Sequence, residues 1–138
     1  MVIDSERSSV SDEPKLAALV KRIGERAGMV VTTSKGWDSI IADADAGLAE
    51  LDPIYVVAQV KEKFGGLAFY YRPSTSDPDI RAAMQSIVNE AVTKAAYTCE
   101  ISGRDDGVLG HWQGRNWLRT LSISLYGPEG FEPLPPED

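Results

Sequence analysis

A glycine pair between two β-rich segments constrains the fold of this chain more than any other feature. The segments IYVVAQVKEKF (residues 54–64) and LAFYY (residues 67–71) are rich in β-branched and aromatic residues, and Gly65 and Gly66 separate them. Two-residue hairpin turns require positive φ angles, which glycine adopts without steric cost. The pattern therefore predicts an antiparallel β-hairpin with Gly65 and Gly66 as its turn.

This turn implies a register in which one face of the hairpin is apolar apart from Glu62. The pairs expected on that face are Phe64 with Leu67, Glu62 with Phe69, and Val60 with Tyr71. An unpaired carboxylate on a packed face costs several kcal/mol. We therefore expect Glu62 to have a partner such as Arg115 or Arg119, or a bulge to turn it outward. A functional carboxyl with a raised pKa is the other alternative.

The opposite face of the hairpin carries a group that we call the cationic face: Lys61, Lys63, Tyr70 and Arg72. A run of charges is usually a solvated sheet surface, where lysines also discourage edge-to-edge association. The alternative is a binding site for an acidic partner, a phosphate group or a single-stranded nucleic acid. Both interpretations are kept open.

Three helices are predicted from apolar spacing and from start and stop signals. The first starts at Ser11 and ends before Gly28, and the second runs from Trp37 to the stop at Pro53. The third begins with Asp77 as cap and Pro78 in the first turn, and it ends near Cys99.

One more strand is predicted near the C-terminal end, because NWLRTLSISLYG alternates through Leu121, Ile123 and Leu125. We expect this strand to extend the hairpin sheet. The predicted fold is a single α+β domain with two N-terminal helices, a β-hairpin, a third helix and a further C-terminal strand, packed as one α/β layer pair.

The net charge of −7 resides at the two ends of the chain. Residues 1–13 carry −3 and residues 127–138 carry −4, so the segment between them is neutral on balance. We expect a flexible acidic segment at 1–13, the domain at 14–126 and a Pro-rich acidic tail at 127–138, extended unless Phe131 or Leu134 docks. A neutral domain argues against general nucleic-acid binding, which needs clustered Lys and Arg.

Localisation is predicted to be cytoplasmic, without membrane association. The longest apolar runs fall far short of the ~18 residues of a membrane span, and residues 1–14 lack a signal pattern. The single cysteine, Cys99, cannot form a disulfide within the chain.

The segment GHWQGRNWLR (residues 110–119) concentrates tryptophan and arginine. These residue types are enriched at binding hot spots, yet tryptophan in a small domain is often part of the core. We predict Trp112, Arg115 and Arg119 as partner-binding residues on a bent loop, and Trp117 as a core residue.

Four segments of the chain occur in the order seen in a known family: GWDSII, QVKEKFGGLAFYY, TCEISG and WLRTL. The chain resembles, over residues 36–125, a largely uncharacterised family of small bacterial and phage proteins with GW, KEKFGxLRFYY, CxxCG and TLCxxH segments. The resemblance implies a fold and says little about activity.

In such relatives the cysteine and histidine pairs resemble a zinc ribbon, and most of these ligands are missing here. Cys99 matches the first ligand, whereas Ser102 and Ser122 replace the second and third cysteines. Leu125 or Tyr126 stands in place of the histidine. Ala68 also replaces the arginine of the family's LRFYY segment, which weakens the cationic face.

No metal, cofactor or catalytic residue is predicted. A structural zinc site needs four ligands, and the chain offers Cys99, His111 and a carboxylate from Asp105 or Asp106. Cys99 with His111 as its base is the one nucleophilic pair to consider. The usual phosphate-binding, dinucleotide-binding, metalloprotease and hydrolase signatures do not occur.

Three classes of function follow. The first is a small acidic protein-binding protein of the immunity or inhibitor kind, whose partner is a protein target such as a toxin encoded nearby. The alternative is a nucleic-acid or nucleotide-binding module that uses the cationic face. The second alternative is an enzyme of unknown type centred on Cys99 or Glu62.

Overall fold

The computed structural model describes residues 14–23 and 31–135 and shows a mixed α+β single domain. The elements in chain order are α1 (Ala17–Val20), α2 (Asp38–Leu51), β1 (Val56–Lys63), β2 (Gly66–Arg72), α3 (Pro78–Ala95), β3 (Gly107–Trp112), β4 (Leu118–Ser122), α4 (Ile123–Tyr126) and β5 (Phe131–Pro133). Short 3₁₀ turns lie at Pro14–Leu16, Lys35–Trp37 and Gly127–Glu129. Within the described ranges, no helix has both the length and the apolar character that a membrane span requires.

The second and third predicted helices are confirmed as α2 and α3. The Asp77 side chain accepts the backbone N–H groups of Asp79 and Ile80, which satisfies donors that have no partner inside the helix. Of the first predicted helix, residues 11–13 and 24–27 lie outside the described residues, as does the acidic segment 1–13. The described part is the 3₁₀ turn at Pro14–Leu16 followed by α1.

The hairpin is confirmed, but its predicted turn and register are wrong. Lys63 pairs with Gly66, so the two turn residues are Phe64 and Gly65, with φ angles of 52° and 85°. Both angles are positive, as a type I′ turn requires. Phe64 therefore leaves the packed face and is 76% exposed.

Apart from Phe64, the faces of the hairpin were nevertheless assigned correctly, because the register differs by two positions and side chains alternate with a period of two. Val60 opposes Phe69 and Glu62 opposes Leu67, whereas Lys61 opposes Ala68 on the other face. A bulge between Val57 and Gln59 accommodates the remainder of β1.

The C-terminal strand is β4, and it does not join the hairpin. A separate antiparallel sheet has the order β4-β3-β5. The strand ends at Ser122 because the Ser122 hydroxyl accepts the Leu125 N–H and starts α4. Ile123 and Leu125, expected on the strand, lie in that helical turn.

Part of the expected C-terminal tail belongs to the folded body. Phe131, whose docking on the body was one of the predicted alternatives, lies in β5, where it pairs with Trp112 of β3. It is 2% exposed. The Leu134 N–H donates to the Leu109 carbonyl oxygen (2.9 Å). Residues 136–138 lie outside the described residues.

The described residues contain two apolar cores. In the larger core, the inner face of the hairpin packs against α1, α2 and α3 around Trp37, Ile41 and Met84. The smaller core lies on one face of the three-stranded sheet and contains Cys99, Leu121 and Phe131. Two sheets with separate cores replace the single layer pair that the sequence predicted.

Candidate functional site

The turn TCEISG is closed by hydrogen bonds. The Ser102 N–H donates to the Cys99 sulfur (3.3 Å), and the Gly103 N–H donates to the Cys99 carbonyl oxygen (2.9 Å). Gly103 has a φ of 80°, which favours glycine. Among the described residues, no group of three or more His, Cys, Asp or Glu side chains is placed to hold a metal ion.

Ser122, where the resemblance places a third ligand, instead belongs to a polar cluster that starts α4. Its hydroxyl lies 3.2 Å from the hydroxyl of Ser124, which also bonds to the Asp106 carboxylate. Hydrogen bonds from Ser122 and Ser124 lower the pKa of Asp106 to about 2. Asp106 therefore remains ionised as an acceptor throughout the physiological pH range.

The three residues of the enzyme alternative are each buried or in contact with backbone atoms. Cys99 is fully buried, and the His111 ring nitrogen Nδ1 contacts the Trp112 carbonyl oxygen (3.2 Å). The Glu62 carboxylate accepts the Gly65 N–H at 2.5 Å. The expected partnership of Glu62 with Arg115 or Arg119 is not observed, because the carboxylate bonds to the turn backbone instead.

Arg119 was predicted to contact a partner, and the structure corrects this prediction. Its side chain is fully buried, and its Nη2 and Nε atoms lie 3.1 and 3.2 Å from the Glu100 carboxylate. The other Glu100 oxygen accepts the Ser34 N–H (3.1 Å), so the pair connects two parts of the chain. A buried ion pair of this kind holds its residues in place and offers no contact to a partner.

The remaining aromatic residues of the loop differ from expectation in a similar way. Trp112 packs edge to face against Tyr126 and Phe131, with ring centroids 6.0 and 5.7 Å apart, and so belongs to the smaller core. Trp117, predicted in the core, is 47% exposed and lies over the Arg119 guanidinium at 4.6 Å. Of the three predicted binding residues of the loop, Arg115 alone is exposed.

The cationic face is brought together as the hairpin pattern indicated. The Lys61 ammonium lies 5.9 Å from the centroid of the Tyr70 ring, within cation–π range. Tyr70 is 42% exposed, and Lys63 and Arg72 are exposed. Within residues 14–23 and 31–135, none of the three cations forms an ion pair.

The residue that sequence reasoning missed is Phe64, which together with Gly65 forms what we call the hairpin tip. The Thr120 hydroxyl donates to the Gly65 carbonyl oxygen (2.7 Å), and Glu62 accepts the Gly65 N–H. A Cβ atom on Gly65 would overlap Leu109, so the turn lies directly against the three-stranded sheet. The tip is thus held rigidly while its aromatic ring faces solvent.

The exposed side of the hairpin forms a surface suited to a macromolecule. Phe64 precedes the strand that carries Tyr70 and Arg72, and Lys63 adjoins the tip on the other strand. Seven strand residues span roughly 20 Å, a length that suits a protein–protein contact. No apparent signal in the sequence pointed to Phe64, since its exposure depends on which residues form the turn.

Comparisons of the chain with protein-family models, with curated proteins and with solved structures find no match.

Proposed function

We propose that this protein acts by binding another protein, in the manner of a small inhibitor or immunity-type protein, with the hairpin tip as its anchor. The observation that carries the proposal is Phe64, an aromatic side chain that is 76% exposed at a positive φ of 52°. A bulky residue with positive φ is a genuine outlier, and such residues concentrate at functional sites.

The turn itself gives no reason for a phenylalanine. Asparagine or glycine fits a type I′ turn better, and a phenylalanine there costs roughly 1–2 kcal/mol of backbone strain. Exposure of the ring adds an unfavourable contact with water. Burial of the ring against a partner offsets both costs.

The clamps on the hairpin tip suit it for recognition. Gly65 is bonded on both sides, by Glu62 and by Thr120, so the ring is displayed on a rigid support. A preorganised anchor loses little conformational entropy when it binds, which raises affinity for a given contact area. Aromatic anchors are among the residues that dominate binding energy.

The proposed setting is the cytoplasm, and the proposed partner is a protein target such as a toxin encoded nearby. The net charge of −7 resides at the two ends of the chain, and it supports a target with a basic surface region that faces these ends, because charge complementarity speeds association. The single buried cysteine is consistent with a reducing compartment.

The test compares Phe64→Asn with Ile54→Asn as baits in a lysate of the producing cells, followed by titration of the purified partner. Ile54 is 75% exposed, so the control removes a similarly exposed apolar side chain elsewhere. We expect Phe64→Asn to weaken partner affinity about thirtyfold or more, as loss of a hot-spot anchor does. The Ile54→Asn variant keeps wild-type affinity.

Two results would overturn the proposal. The first is that every protein captured by the wild-type bait is also captured by Phe64→Asn, or that the wild-type bait captures none. The second is that the purified partner binds the two variants with equal affinity. Because asparagine favours the turn, a fall in affinity for the Phe64 variant is not a consequence of unfolding. Circular dichroism of each bait checks this directly.

The second candidate function is nucleic-acid binding by the cationic face. The observation that favours it is the arrangement of Lys61 over Tyr70 with Lys63 and Arg72 on the same face, since basic grooves with aromatic rings bind single strands. Retention on heparin or single-stranded DNA that weakens steeply with salt, and is lost in Lys61→Gln, would support this function instead.

A further inference from the structure

A groove runs between β2 and the first half of α3, beside the cationic face. Its volume is about 550 Å³. The lining residues are Phe69, Tyr70, Tyr71, Pro73, Arg81 and Gln85. One wall thus consists of three aromatic residues and one proline and the other is polar, which suits an extended peptide better than a compact apolar ligand.

The polar wall is held in a fixed arrangement. The Tyr71 hydroxyl donates to Gln85 Oε1 (3.1 Å), and Gln85 Nε2 donates to Asn89 (2.9 Å). Arg81 Nε donates to the Thr75 carbonyl oxygen (2.7 Å), which anchors the guanidinium through one of its three nitrogens. The two terminal nitrogens have no hydrogen-bond partner among the residues that the structure describes.

The cation that lines the groove is Arg81. Arg81 forms no ion pair with any residue in the described ranges, and the same holds for Arg72 at the end of β2. Asp77 and Asp79 are the acids at the start of α3, and the Asp77 carboxylate accepts two backbone N–H groups there. Guanidinium groups with unused donors at a groove favour carboxylate ligands.

We propose that the β2–α3 groove binds an extended acidic segment of the partner protein, with a carboxylate at Arg81 and the backbone packed along Tyr70, Tyr71 and Pro73. This inference rests on the proposed function of protein binding and names the chemistry of the partner. Charge complementarity carries the choice of occupant, because Arg81 lines the groove and its two terminal nitrogens have no partner among the described residues.

The ring contacts favour a protein segment over a nucleic acid. The Tyr70 ring already has the Lys61 ammonium over it at 5.9 Å. The Tyr71 ring has Tyr55 edge to face at 6.3 Å and Phe69 tilted at 6.4 Å. The Tyr71 ring, which both of these rings contact, is therefore not a free platform for base stacking, on which single-strand binding depends.

The test uses three fluorescent probes and the intact chain. One probe is a nonapeptide with glutamates and prolines around a central tyrosine, the second has glutamine in place of every glutamate, and the third is oligothymidylate. We expect the acidic peptide to bind about two- to fivefold more tightly than the neutral one. We expect Arg81→Gln to remove that difference, and amide shifts in NMR spectra to map to Tyr70, Tyr71 and Gln85.

Lys94→Gln is the matched control, since Lys94 is an exposed cation of the same helix that lies 3.4 Å from Glu90. It leaves the preference for the acidic peptide unchanged. Equal binding of the two peptides, NMR shifts outside the groove, or tighter binding of oligothymidylate than of the acidic peptide would each overturn the inference.

The two proposals fail separately. If Phe64→Asn abolishes capture of the partner while Arg81→Gln leaves it intact, the groove inference is wrong and protein binding stands. If Arg81→Gln abolishes capture and Phe64→Asn does not, the anchor has been placed at the wrong end of the hairpin.

Discussion

Two glycines of this chain are required for different physical reasons. Gly36, in the GW segment, donates its N–H to the Glu100 carbonyl oxygen (2.7 Å), and a Cβ atom there would overlap the carbonyl oxygens of Cys99 and Glu100. Gly114 has a φ of +81°, and a Cβ atom there would meet no other atom within 4 Å. The first glycine is needed for close approach and the second for its backbone conformation.

This difference predicts that Gly36→Ala costs about 3 kcal/mol or more, because backbone atoms cannot move aside as flexible side chains do. Gly114→Ala should cost about 1–2 kcal/mol, the penalty of a positive φ for a residue with a Cβ atom. Urea unfolding of both variants measures the two values. A larger loss for Gly114→Ala would contradict the close approach between the GW segment and the turn at Cys99.

At the scale of elements, the sequence predicted what depends on local pattern and missed what depends on contact with other elements. The period of two assigned both faces of the hairpin, because this parity survives a register error of two positions. The turn was misassigned because the contacts that hold Gly65 come from Thr120 and Leu109, far along the chain. Strand β3 was missed because its glycines suggested a loop.

Gly110 of β3 illustrates this last point. A Cβ atom there would overlap the Glu132 carbonyl oxygen of the neighbouring strand β5. The glycine therefore permits a close strand contact, and it does not mark a bend. Such a contact cannot be inferred before the pairing partner is known.

The observed register predicts opposite effects for two phenylalanines of one hairpin. Phe69→Ala should cost about 3–5 kcal/mol, because Phe69 is 5% exposed in the larger core. Phe64→Asn should stabilise by about 0.5–1 kcal/mol, since asparagine tolerates the positive φ of the turn. Thermal or urea unfolding distinguishes them. A substantial loss of stability for Phe64→Asn would restore the register in which Phe64 is packed.

At the scale of the molecule, polar groups connect the two cores, and this explains which candidate site residues could be predicted. The sequence predicted Arg119 as an exposed, partner-binding cation, yet it forms the buried ion pair with Glu100. Lys61 and Tyr70 were placed correctly because one strand pair positions both. Residues whose environment is set within one hairpin are predictable, whereas those at the junction between the cores are not.

A second buried polar group connects α2 to the residues just after α1 and just before β1. The Tyr55 hydroxyl donates to Asp45, which is 1% exposed, and Arg22 Nη1 lies 2.6 Å from the other Asp45 oxygen. Burial of the ring, followed by the hydrogen bond to Asp45 and its charge, raises the pKa of Tyr55 well above 10, and Arg22 opposes this weakly. The fold therefore favours the neutral phenol.

This raised pKa predicts an alkaline limit to stability. A group whose pKa is higher in the folded state contributes fully below its unfolded pKa, about 10 for tyrosine, and the contribution is lost as the pH rises towards the folded value. Tyr55→Phe should be less stable at pH 7 by about 1–3 kcal/mol, because Asp45 loses a donor. The difference in unfolding free energy between variant and wild type should narrow above about pH 10, since the variant has no phenol to ionise at this position.

Burial also raises the pKa values of Tyr71 and Tyr126, so the stability of the variant still declines at alkaline pH, but less steeply than that of the wild type. Tyr97→Phe, at a ring that is 67% exposed, is the control and should follow the wild-type curve in parallel. Urea midpoints from pH 7 to 11 test this, and a constant gap for Tyr55→Phe across that range would mean that Tyr55 does not set the alkaline limit.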